Sequence, residues 1–135
     1  MKTLGKFRSE KGAAAVEFAL LLPLLMMIVF GIIEFGFALY RQSVLTNASR
    51  EGARLGIVQS VPAITTGQIS GAVDTYLAAA GITPGTVGRT ILTTGVTGTP
   101  VRVTFTLPYN FTVLPGLTSV APTITLTAWT EMRHE

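Results

Sequence analysis

The chain has 135 residues, no cysteine, 13% charged residues and a formal charge of +3, enough for one small folded unit beside an apolar segment. Lys2, Lys6, Arg8 and Lys11 against Glu10 supply all of that charge, and from Ala13 onward six arginines balance six carboxylates, which excludes a basic nucleic-acid-binding face. The missing cysteines exclude a disulfide framework and thiol chemistry, and a single histidine with scattered carboxylates excludes a catalytic constellation or metal centre, so no cofactor and no small-molecule substrate is expected.

Residues 1–12 form a basic leader. From Ala13 to Tyr40 the chain is apolar, with Glu17 and Glu34 its only ionisable groups before Tyr40, and this exceeds the ~20 residues that cross a bilayer as a helix. It also exceeds the ~7 to 15 residues of a signal-peptide core. Basic residues before a span favour a cytoplasmic N-terminus, so the remainder is expected to be exported.

The apolar zone reads as the first half of one long helix from about Ala13 to about Gln59, ended by Pro62 and roughly 70 Å long at ~1.5 Å per residue. Residues 13–40 form its transmembrane half and 41–60 its amphipathic exported half. Pro23 lacks an N–H and its ring meets the Ala19 carbonyl, so a kink is expected there. Leu45, Ala48, Gly52 and Leu55 share one face, and Ala48, Gly52 and Gly56 place a small residue every fourth position, which lets another backbone come close.

Residues 61–135 are rich in Thr, Gly and Pro and read as a small extracytoplasmic domain. "GQISGAVDTYLAAAG" predicts a short helix with Ile69, Val73, Tyr76 and Leu77 on one side, stopped at Gly81. "RTILTTGVTGTPVRVTFTL" predicts a hairpin turning near Gly98, with Val101, Val103, Phe105 and Leu107 on one face. "TITLTAWTEM" predicts a last strand with Ile124, Leu126 and Ala128 opposite Thr125, Thr127 and Trp129. The expected fold class is α+β, a long transmembrane and amphipathic helix packed on a small antiparallel sheet with one short extra helix.

Glu17 is the conspicuous residue, because an acid inside lipid costs about 2.5 kcal/mol or more and calls for a partner. A cut after Gly12 would supply one: the new amine of Ala13, on a neighbouring helix, pairs with Glu17 and fixes axial register. Glu34 lies about one bilayer thickness further on, with Phe30, Phe35, Phe37 and Tyr40 as an aromatic belt; it either reaches the outer headgroups or makes an inter-helix contact. Glu51 and Arg54 form a solvated i,i+3 pair or border a contact. Trp129 is expected to pack beneath a loop or helix, or else to anchor a partner, and His134 lies at the chain end.

A basic leader ending in glycine, a glutamate at the fifth position after it, then an aromatic and an apolar helix, resembles the processing signal of type IV pilins. The run "GAAAVEFALLLPLLMMIVFGIIEFGFALYRQSVLTNASREGARLG" resembles the TadE-like family of tight-adherence (Tad/Flp) pilus assembly proteins, at Gly12, Glu17, Phe18, Pro23, Glu34, Phe35, Gly36 and the stretch Arg50 to Arg54. The resemblance implies a prepilin peptidase acting between Gly12 and Ala13, a Glu17–Phe18 pair setting helix register, and pilin and pseudopilin subunits packing in the bilayer through the N-terminal helix. Ala13 stands where the wider pilin group often has phenylalanine. The implied place is the bacterial inner membrane, single-pass, with passage into the fibre or residence at its base both open. The alternative is an uncleaved, membrane-anchored scaffold or binding protein of the envelope.

Overall fold

The computed structural model describes residues 6–58, 62–93, 96, 98–112 and 123–133, with side chains from residue 12 onward. Its elements are helix α1 (Lys6–Gly56), helix α2 (Thr66–Ala79), a 3₁₀ turn (Pro84–Thr86) and strands β1 (Gly88–Leu92), β2 (Pro100–Asn110) and β3 (Thr123–Arg133). The α+β class follows from that order. Two compact units emerge, Met1–Phe35 with Phe111–Ala121, and Gly36–Asn110 with Pro122–Glu135.

Helix α1 spans 51 residues and continues through Pro23. Its start lies seven residues before the expected Ala13, because lysine, arginine and glutamate are good helix formers and the change of composition at Gly12 breaks nothing. It ends at Gly56, where the Ile57 and Val58 N–H groups donate to the Ala53 and Leu55 carbonyls and tighten the last turn. Gln59 lies outside the described residues.

Helix α2 opens on a capping box. The Gln68 N–H donates to Thr65 Oγ1, and the Thr65 N–H donates to Gln68 Oε1. It closes with the Ile82 N–H on the Leu77 carbonyl and the Gly81 N–H on the Ala78 carbonyl. Gly81 adopts φ +75°, the left-handed conformation that this closure requires and that glycine enters without a Cβ penalty. Ile69, Val73 and Leu77 are buried, whereas Tyr76 lies at the rim, 37% exposed.

The three strands form an antiparallel meander in the order β1-β2-β3. Arg102 faces Leu92 on one side and Glu131 on the other; Thr104 faces Thr90 and Trp129. Gly98, at φ +82°, sits in the turn closed by the Thr99 N–H on the Val96 carbonyl.

Alternation on β2 buries Val101, Val103, Phe105, Leu107 and Tyr109 against α2 and the second half of α1. A Cβ added to Gly52 would lie 3.0 Å from Val73 Cγ2 and 3.3 Å from Val103 Cγ1, and one on Gly56 would lie 2.7 Å from Val101 Cγ1. The small-residue stripe thus receives the chain's own sheet and second helix. Leu45 and Ala48 are fully buried beside it.

Side chains fix how α1 runs along β3. Gln42 Nε2 donates to the Thr127 carbonyl at 2.8 Å, and Ser49 Oγ lies 2.7 Å from Thr130 Oγ1. Seven helical residues at ~1.5 Å and three strand residues at ~3.3 Å both advance about 10 Å, so helix and strand progress in the same direction. Ser49 is fully buried, and Thr130 with the Thr46 carbonyl satisfies its hydroxyl.

Candidate assembly site on the long helix

From Gly12 to Leu25 every residue of α1 is exposed, and all but Glu17 are uncharged. Val16, Phe18, Leu20 and Leu21 are 60% exposed or more. The most apolar 18-residue window of Gly12–Gly56 has mean hydropathy 2.6 with none of it buried, and length and composition suffice to cross a membrane. A helix hydrophobic all round is stable only inside lipid or among other helices.

Gly12, Ala13, Glu17, Phe18 and Pro23 are all exposed along this stretch, and among the described residues no ion pair reaches Glu17. Its carboxylate therefore projects from an apolar stretch of helix, and none of the described residues forms an ion pair with it to offset the cost of entering lipid. Phe35, Phe37 and Tyr40 are more than half exposed one bilayer thickness further along, where aromatic side chains favour the membrane interface.

Glu34 makes a contact within the chain that the sequence did not suggest. It is 1% exposed, and its Oε1 accepts the Thr112 backbone N–H at 2.9 Å. A carboxylate bonded to a backbone N–H of its own chain tolerates burial that a bare one does not.

Glu51 and Arg54 form the anticipated pair, with Arg54 Nη2 at 3.2 Å from Glu51 Oε1 and the arginine 70% exposed. Trp129 corrects the expectation of a covered ring. It is 62% exposed, because β3 presents its odd residues on the sheet face opposite the helices. The Arg102 guanidinium lies 5.6 Å from its ring centroid. His134, and the part of the Asn110–Pro122 connection from 113 to 122, lie outside the described residues.

Two contacts escaped the sequence reading. The Arg41 guanidinium lies over the Tyr109 ring at 5.1 Å. Arg89 joins β1 to α2 and the 3₁₀ turn, with Nη1 at 2.6 Å from Asp74 Oδ1 and 2.5 Å from Ser70 Oγ, and Nη2 donating to the Pro84 carbonyl at 3.0 Å. The one available signal was that Arg41 and Arg89 each interrupt uncharged stretches. Among the described residues no group of three or more metal-ligating side chains comes together.

These features define a class, a chain whose N-terminal helix is long and apolar enough to cross a membrane and continues into the core of a small α+β domain. A family model described as "TadE-like protein" matches residues 12–54, nearly the whole of α1 beyond the leader and the same stretch that carries the resemblance. That segment is similar to TadE-like proteins. No curated protein and no solved structure matches the chain.

Proposed function

We propose that the protein is a minor pseudopilin of a Tad/Flp (type IVb) pilus, acting in the assembly or priming of a fibre used for adhesion. A prepilin peptidase removes residues 1–12 on the cytoplasmic face of the inner membrane, and the freed amine of Ala13 on one helix meets the Glu17 carboxylate of the next. The observation that carries the reading is Glu17 itself, an exposed acid in the apolar stretch of a TadE-like helix. Pairing offsets a desolvation cost that lipid alone leaves standing.

The rest of the helix fits the same role. Its second half belongs to the exported core through Leu45, Ala48, Gly52 and Gly56, so the first half remains free to pack laterally against pilins and other pseudopilins.

Glu17→Gln tests the proposal. The variant removes the charge and keeps the shape, so membrane level and fold stay unchanged while co-purification with pilin subunits and surface pili fall. Wild-type co-purification and piliation in Glu17→Gln would overturn it in favour of the uncleaved, anchored envelope scaffold.

A further inference from the structure

The outer face of the sheet is a second candidate site, and it is independent of the membrane helix. Trp129 stands there 62% exposed, in a cross-strand row with Thr104 and Thr90. The adjoining row holds Thr106 and Thr127 as a direct pair, so hydroxyls flank the indole along and across the strands. On its other side Arg102 is held in place: its Nε donates to Glu131 Oε2 at 2.7 Å while its guanidinium lies 5.6 Å from the Trp129 centroid.

An indole braced in this way loses little side-chain freedom on binding, which favours recognition. Its environment also selects the ligand. Arg102 and Glu131 pair with each other, so the two charged groups nearest the ring carry no net charge, with Arg133 further along the same face. Threonine hydroxyls both donate and accept, matching a ligand whose own groups are hydroxyls. A protein partner would want an apolar surround for its aromatic anchor, and here the immediate neighbours are hydroxyls and an ion pair.

We infer that this face binds a neutral glycan, one flat face of a β-linked pyranose stacking its C–H groups on the Trp129 ring while Thr104, Thr106 and Thr127 bond its hydroxyls. The C–H groups carry partial positive charge and meet the negative face of the aromatic system. Charge complementarity supports this occupant, since a locally neutral platform suits an uncharged chain.

Trp129 is the only tryptophan in the protein, so its fluorescence reports the site directly. The full-length protein in detergent is titrated with cellohexaose and chitohexaose, and its retention on insoluble cellulose and chitin is measured. The expected result is a saturable emission change with at least one sugar and retention on the matching polymer. Trp129→Ala weakens retention about tenfold or more, Trp129→Phe restores part of it, and Thr104→Val with Thr127→Val lowers it while keeping the side-chain shape. An unchanged spectrum with both sugars overturns the inference, as does equal retention of Trp129→Ala, or a spectrum that responds only to phosphatidylglycerol vesicles or to protein concentration. The Glu17→Gln outcome does not enter this test, so either reading can fail alone.

Discussion

Glu34 Oε1 accepts a hydrogen bond from the Thr112 backbone N–H at 2.9 Å across 78 residues of chain, with the carboxylate almost fully covered. Thr112 is itself exposed, so losing this acceptor costs about the 0.5–1.5 kcal/mol net of an ordinary hydrogen bond. Glu34→Ala therefore speeds amide exchange at Thr112 by roughly twofold to tenfold. Glu34→Gln, which keeps an oxygen acceptor, stays close to wild type. Hydrogen exchange read by mass spectrometry on a peptide containing Thr112 makes the comparison.

Gly56 faces Val101 so closely that its missing side chain matters. A β-branched valine cannot swing aside at χ1, and a Cβ on residue 56 would stand 2.7 Å from it. Gly56→Leu overpacks this contact and destabilises the α+β domain by about 2–3 kcal/mol, despite the better helix propensity of leucine. Gly31→Leu, where a Cβ meets nothing within 4 Å, leaves stability unchanged. Thermal melts of the two variants in the same detergent check the contrast.

The Glu51–Arg54 and Asp74–Arg89 ion pairs differ in consequence. Glu51 and Arg54 are solvated neighbours on one helix, so Glu51→Ala changes stability by at most about 0.5 kcal/mol. Asp74 instead meets an arginine whose side chain is only 25% exposed and which also bonds Ser70 and the Pro84 carbonyl. Asp74→Ala leaves that guanidinium short of its anionic partner and costs about 1–2 kcal/mol. Chemical denaturation with unchanged m-values measures both.

Ser49 and Thr130 share a hydroxyl contact at 2.7 Å inside the core. Ser49→Ala strands the Thr130 hydroxyl and costs about 1 kcal/mol. Ser49→Ala combined with Thr130→Val removes both partners and costs less than the two single changes added together. A double-mutant cycle gives the coupling.

Local pattern carried most of the fold. Strand alternation from Val101 to Leu107, the apolar spacing Ile69, Val73, Leu77 and the breaker Gly81 each act within a few residues, so their physics is written in the sequence order. The small-residue stripe Ala48, Gly52, Gly56 announced a close packing, though not that the chain's own sheet would fill it. What stayed hidden joins residues far apart. Arg89 with Asp74, Arg41 with Tyr109 and Glu34 with Thr112 depend on how elements come together, and no local period encodes that. Strand parity put Trp129 on the threonine face, but parity cannot tell whether another element covers that face, and none of the described elements does. At Glu17 the sequence spoke most plainly, since an acid set in an apolar run is conspicuous by its polarity alone.

The central claim is that Ala13 becomes the N-terminus and supplies the amine that Glu17 requires. The direct measurement is the intact mass and N-terminal sequence of the membrane-extracted protein, made with and without the host's prepilin peptidase. A chain that begins at Ala13 only when the peptidase is present is the predicted result. A chain that still begins at Met1 with the peptidase active would contradict it.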